Sequence, residues 1–153
     1  MGLDMYLRAK YYIDEEDEEF TIAGLTKYPL PTKLQICSHH FKISHIIIDV
    51  GYWRKANQIH YWFVKNIQNN NDDQNEYWVP RERLEKLLEI CKKVLESKSK
   101  NLAKKLLPTQ SGFFFGSNKY DDNYYFQVEK TIKILEKALK LPKKWEFYYS
   151  SWW

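Results

Sequence analysis

The chain has 153 residues, of which 44% are hydrophobic and 29% charged, with a formal net charge of +4. A chain of this length buries about two-thirds of its unfolded surface in one core. The composition excludes the hydrophobicity-poor signature of disorder, and no run approaches the about 18 apolar residues of a membrane span. The start, MGLDMYLRAKYY, turns polar at the fourth position and has no apolar leader segment, so the expectation is a single compact cytoplasmic domain over residues 1–153 with no membrane partner.

Aromatic residues are the unusual component: 6 Trp, 12 Tyr and 8 Phe make up 17% of the chain. Such side chains supply large rigid contact areas in cores and at recognition surfaces alike. The charge is divided unevenly. Residues 1–79 carry 8 basic and 11 acidic side chains and residues 80–153 carry 16 and 9, so halves of net −3 and +7 make up the +4. A positive half can draw in phosphate-bearing ligands, although most of its lysines fall on the polar sides of helices.

In chain order, residues 3–11 alternate apolar and polar and predict a half-buried strand. The acidic run 14–19 predicts a solvated loop, because adjacent like charges repel, and a further strand is expected around 20–25. Pro29 and Pro31 interrupt regular structure. Extended stretches follow at about 33–38 and 41–50. The second, FKISHIIIDV, is β-branched enough to predict a central strand buried on both faces, ended by Gly51.

Helical spacing begins near Lys55, with Ala56, Ile59, Phe63 and Ile67 on one side and Asn57, His60 and Val64 on another. A polar loop over 69–75 leads to a short strand at 76–79, and Pro80 suits the first turn of a helix over 81–98. That helix has the stripe Leu84, Leu87, Leu88, Cys91, Val94 and Leu95, with Glu82–Lys86 and Glu89–Lys93 as supporting pairs. A short helical piece at 102–107 stops at Pro108. A last helix is expected over about 122–141, with Tyr125, Val128, Ile132, Leu135 and Leu139 inward and Pro142 at its end. The terminus WEFYYSSWW alternates again and predicts a strand tied into the sheet. The fold class expected is α+β: a mostly antiparallel sheet with about three to four helices packed on it.

Two segments could carry chemistry. The first is SGFFFG, Ser111 to Gly116. If it is extended, Phe113 and Phe115 point one way and Phe114 the other, so a one-faced core cannot take all three rings. Gly112 and Gly116 permit a tight turn or a close approach to a ligand. Core packing and a stacking platform both remain open, and the strand-to-helix GKS/T context of a phosphate loop is missing.

The second is the strand-to-helix junction Gly51–His60. There Arg54 and Lys55 can pair with phosphate, Trp53 can stack, and Asn57 with His60 can read hydrogen-bonding edges. The bland alternative makes the cations surface charges and His60 a satisfied core imidazole. Cys37 and Cys91 lack CxxC spacing and read as structural thiols. His39, His40 and His45 share no ligand geometry with Asp72 or Asp73, so no metal site and no cofactor are expected. No nucleophile motif or paired catalytic carboxylates stand out. If there is catalysis, His60 is its base, beside Asp72 or Asp73.

The opening MGLDMYL, the central YWRKANQIHYWFV, the pair Asp72-Asp73, LPTQSGFFFG with Tyr120-Asp121, and the closing SWW resemble a family of small proteins encoded by tailed bacteriophages and prophages. The likeness spans nearly the whole chain. It picks out Trp53, Arg54, Asn57, His60, Gly112 to Gly116, Ser151 and Trp152 as motif positions, without assigning them roles. An accessory phage protein of this size implies interference with host defence in the bacterial cytoplasm, by sequestering a signalling nucleotide or by binding a host protein.

Together these readings lead to an expected non-enzymatic binder of a small anionic ligand, most plausibly a nucleotide. Its expected ligand-binding residues are Trp53, Arg54, Lys55, Asn57, His60, Ser111, Gly112, Phe114, Gly116, Tyr148 and Trp152. A protein-binding inhibitor of a host factor is the second expectation and an enzyme acting on a nucleotide the third. General nucleic-acid binding, which would weaken steeply with salt, is not expected.

Overall fold

The computed structural model describes residues 2–14 and 43–153 with their side chains and, between them, the backbone of short strands within 19–42. The elements run β1 (Asp4–Tyr12), β2 (Glu19–Ile22), β3 (Thr26–Pro29), β4 (Lys33–Ile36), β5 (His39–Lys42), β6 (His45–Arg54), α1 (Asn57–Asn66), β7 (Tyr77–Val79), α2 (Arg81–Ser97), α3 (Lys100–Leu106), α4 (Asp122–Ala138) and β8 (Trp145–Trp152). The expectations for the acidic residues 15–18, for Pro31 and Cys37, and for the side chains of His39 and His40 lie outside the described residues. β2 pairs with β3, and β4 with β5, as separate two-stranded antiparallel ribbons.

The main sheet is antiparallel, in the order β6-β1-β8-β7, and with the helices it gives the α+β class expected from the pattern. β1 is central. Its alternation sends Met5, Leu7, Ala9 and Tyr11 to one face, where all are buried, and Asp4, Tyr6, Arg8 and Lys10 to the other. The aromatic terminal strand behaves the same way, with Trp145, Phe147, Tyr149 and Ser151 buried.

β6 corrects the expectation of a central strand buried on both faces. It lies at the sheet edge, its residues from His45 to Val50 are exposed or half-buried, and Ile47 is 48% exposed. β-branched content marked a strand without marking its place in the sheet. Gly51 does not end it either. The strand continues to Arg54, and the register with β1 shifts between Leu7 and Arg8, so Val50 is the extra residue of a bulge. A Cβ on Gly51 would lie 2.5 Å from Ile134 Cγ2, so the glycine is what lets α4 come close under the strand.

The helices pack on the face that carries Met5 and Leu7. α1 is buried along most of its surface, with Asn57, Gln58, Ile59, His60, Trp62, Phe63 and Val64 all enclosed. α2 turns Leu84, Leu87, Cys91 and Val94 inward, while Leu88 and Leu95 are only half-buried. Cys91 is fully enclosed, and burial pushes its thiol far above the usual range. Glu89 binds Lys93 as expected, but Lys86 pairs with Glu89 rather than Glu82.

α4 is capped by the Asp121 carboxylate, which accepts from Tyr124 N–H. Its inward stripe contains Tyr124, Val128, Thr131, Leu135 and Ala138, so Tyr124 rather than Tyr125 is the buried tyrosine. The helix ends at Ala138, three residues short of the expected limit. The Arg81 guanidinium then donates to the carbonyls of Leu139, Leu141 and Pro142, tying the start of α2 to the end of α4. Among the described residues no helix is long and apolar enough to cross a membrane.

Candidate functional site at the Arg54 and Trp152 end of the sheet

Five sequence segments meet at one end of the main sheet: residues 2–3, the junction 54–57, the loop 69–76, the loop 108–121 and the terminus 151–153. Backbone bonds tie the first, second and fourth together, since Leu3 N–H donates to Phe114 O and Lys55 N–H to Leu3 O. The motif positions therefore assemble from across the chain. The sheet then divides them between its two faces.

On the inner face, Trp53 is fully buried and its indole N–H donates to Thr131 Oγ1 at 2.9 Å, so it is a core residue and not a stacking surface. Asn57, 1% exposed, fastens the SGFFFG loop from below. Its Nδ2 donates to Phe115 O at 3.1 Å and Ser117 O at 3.0 Å, and its Oδ1 accepts from Gln110 N–H at 3.2 Å. All the hydrogen-bonding groups of that side chain are engaged within the chain except one amide lone pair.

His60 is completely enclosed. Its Nε2 lies 3.0 Å from Asp72 Oδ1 and its Nδ1 2.8 Å from Tyr149 OH. An ionised carboxylate only accepts, so Nε2 carries the proton and Nδ1 accepts from the Tyr149 hydroxyl. Burial pulls the imidazole below its ordinary value, opposed by the charge and hydrogen bond of Asp72. Phe115 meets the ring edge-on at 5.1 Å, Trp153 stands at 5.7 Å, and Tyr149 in turn stacks on Phe63 at 3.9 Å. With both nitrogens committed and no exposed surface, this imidazole is the satisfied core histidine of the two readings. Asp72 is the member that reaches outward, with its side chain 26% exposed.

Asp73 does different work from its neighbour. Its carboxylate accepts from Asn75 N–H, the Asn71 and Asn75 amides and Tyr77 OH, which fold the loop around it and hold it below the usual carboxylate range. No group of three or more His, Cys, Asp or Glu among the described residues could hold a metal ion.

SGFFFG is a turn rather than an extended run, which is why its rings do not alternate. Phe115 is buried, Phe114 half-buried and Phe113 94% exposed, with Phe113 and Phe114 edge-to-face at 4.7 Å. A Cβ on Gly112 would strike the Phe115 ring at 2.5 Å. Gly116 adopts φ +91° with its Cα against Lys55. Both glycines therefore serve the packing of the turn. Ser111 is exposed and its hydroxyl accepts from the Asn118 amide.

The outer face carries the exposed members of the motif set. Residues directly opposite on paired strands point to the same side. Arg54 and Trp152 both pair with Asp4, Tyr52 and Ser150 both pair with Tyr6, and Asp49 and Tyr148 both pair with Arg8. Three rows result, and Arg54, Asp4 and Trp152 form the one nearest the loops. Trp152 is 64% exposed and Arg54 is exposed. Tyr148 is half-buried under the Lys10 ammonium, 4.0 Å from its ring centroid. Lys55, exposed and in the left-handed region at φ 55°, flanks the row.

Sequence reasoning missed Asp4, Tyr6 and Ser150. The signal was available in the parity of the two strands, because residues alternating with the apolar set of β1 and β8 had to share a face with Trp152. What pattern alone lacked was the pairing of the first strand with the last. No protein-family model, curated protein or solved structure matches the chain.

Proposed function

We propose that this protein is a phage accessory protein that binds a small anionic ligand of the nucleotide class, without transforming it, on the outer face where Arg54, Asp4 and Trp152 stand in one row. Sequestering a signalling nucleotide of the host is the biological role that fits such a binder. The observation that carries the reading is an exposed arginine and a 64% exposed indole on one sheet face, on the two strands that flank β1 at Asp4. Guanidinium binds phosphate oxygens through paired donors, and an indole stacks on any base. Lys55 adds a second cation beside Arg54. The enclosure of His60 speaks for a binder over an enzyme that uses it as base, because a base must reach the proton that it removes.

The test is a thermal-shift screen against mono-, di- and cyclic nucleotides with wild-type protein and Arg54→Ala. A ligand at 100 times its Kd stabilises the native state by about 2.7 kcal/mol. The expected result is a shift with at least one nucleotide that disappears in the variant, with the nucleotide recovered unchanged. No shift with any nucleotide would sink the reading. A second reading, an inhibitor that binds a host protein, is favoured by Phe113, 94% exposed, and by Trp78, 55% exposed, since exposed aromatic anchors are typical of protein interfaces.

A further inference from the structure

On the outer face one position breaks the succession of large side chains. Ser150 stands between Tyr148 and Trp152 along β8 and opposite Tyr6 on β1. β7 pairs with β8 only from Phe147 to Tyr149, so beyond that point nothing in the main sheet borders Ser150 on its far side. A small residue among rings at a partly unpaired edge leaves a hollow. An open groove of about 410 Å³ lies there, lined by Tyr6, Arg8, Gln74, Glu76, Ser150, Ser151 and Trp152. That volume is within the range of about 300–1,000 Å³ typical of small-ligand sites.

The lining has a definite chemistry. Trp152 and Tyr6 are diagonal neighbours, so two aromatic surfaces border the hollow. Opposite them Glu76 offers a carboxylate, held by Arg8 at 3.6 Å and by the Lys10 ammonium. These ion pairs hold its position, and each oxygen retains a lone pair for a further donor. Ser150 adds a hydroxyl and Gln74 an amide. A planar ring between aromatic walls, with an N–H-bearing edge turned to a fixed carboxylate, satisfies all of these groups.

We infer that the hollow over Ser150 is the base pocket of the nucleotide site, and that it takes a purine carrying an exocyclic amino group. The amino edge donates to Glu76, the ring stacks against Trp152 and Tyr6, and the phosphate extends along the row toward Arg54. This inference rests on the nucleotide reading above and specifies which face and which base. A purine with neither the amino group nor a ring N–H on that edge loses the bond to Glu76.

The experiment is calorimetric titration of the full chain with AMP, GMP, purine riboside 5′-monophosphate, which has neither an amino group nor a ring N–H on that edge, and inorganic phosphate, for wild type, Ser150→Tyr and Trp152→Ala. Ser150 points outward on a strand, where Tyr is well accepted, and circular dichroism with thermal melting checks that both variants fold. The expected result is AMP or GMP bound about tenfold or more tightly than purine riboside 5′-monophosphate, with inorganic phosphate weaker still. Each variant should lose about tenfold or more in purine affinity, the scale of one stacking contact.

Purine binding unaffected by both substitutions would overturn the pocket and leave the nucleotide reading standing. Equal affinity for purine riboside 5′-monophosphate and AMP would overturn the role given to Glu76, and with it the amino-purine class. No binding of any nucleotide to wild type would overturn the pocket and the nucleotide reading together.

Discussion

Trp53 and Trp152 come from paired motifs at the same end of the sheet, yet the first is fully buried and the second 64% exposed. Trp53 pairs with Met5, whereas Arg54, the next residue, and Trp152 both pair with Asp4. One step along β6 therefore separates a ring that holds the fold together from a cation on the surface. A motif such as Trp-Arg is thus two different statements, one for each face. The inner face is closed by hydrogen bonds that leave little for a ligand, through Trp53, Asn57, His60 and Tyr149. The outer face keeps its rings and charges in water.

The sharpest way to break this division is to truncate on each side and compare. Trp53→Ala should cost about 3–5 kcal/mol of stability, the range for deleting a large buried aromatic side chain. Urea denaturation would show it, and a loss below about 1 kcal/mol would deny the inner face its structural role. Next in size, Asn57→Ala orphans Gln110 N–H and two loop carbonyls and should cost about 2–3 kcal/mol. Limited proteolysis should then cut within 110–117 before any other described loop.

The third expectation concerns pH. Burial lowers the His60 pKa below its unfolded value of about 6.5, so at mildly acid pH the unfolded chain binds the proton more readily than the folded one. The stability from a neutral His60 is full above pH 6.5 and is lost as pH falls from there through the folded value. Denaturation curves at pH 7.5 and 5.5 should show wild type losing stability on acidification, and His60→Gln should flatten that dependence. A pH dependence unaltered by the substitution would assign the effect to other groups. The smallest effects belong to the outer face. Trp152→Ala and Arg54→Ala should alter stability by no more than about 0.5 kcal/mol while weakening the proposed nucleotide binding about tenfold or more, which calorimetry and denaturation together would establish.

The sequence was legible where its periodicity matched a single buried face. β1 and β8 alternate cleanly, and the α2 stripe places Leu84, Leu87, Cys91 and Val94 inward, so those elements could be read directly. It was less legible at β6, where Ile46, Ile47 and Ile48 gave a run that suits a buried centre and occupies an edge instead. Strand order is a long-range property that local composition does not encode. The candidate site was legible as a set of residues and not as a geometry. Arg54 and Trp152 were named, but His60 and Asn57 were named with them, because burial depends on which face α1 turns to the sheet, and α1 is covered on nearly all of its sides. Ser150 gave no signal of its own, since its importance lies in being small among large neighbours.

Cys91 offers a clock for motions that neither face reports. Its thiol lies beside Tyr124 in the packing of α2 against α4, and only a thiolate attacks an alkylating reagent. Burial suppresses the thiolate and excludes the reagent at once, so labelling in the native protein must wait for the two helices to part. In a Cys37→Ser background the rate of alkylation would measure how often that parting occurs. A nucleotide held on the outer face as proposed should leave the rate unchanged if the sheet insulates the helices, and should slow it if the ligand tightens the whole fold.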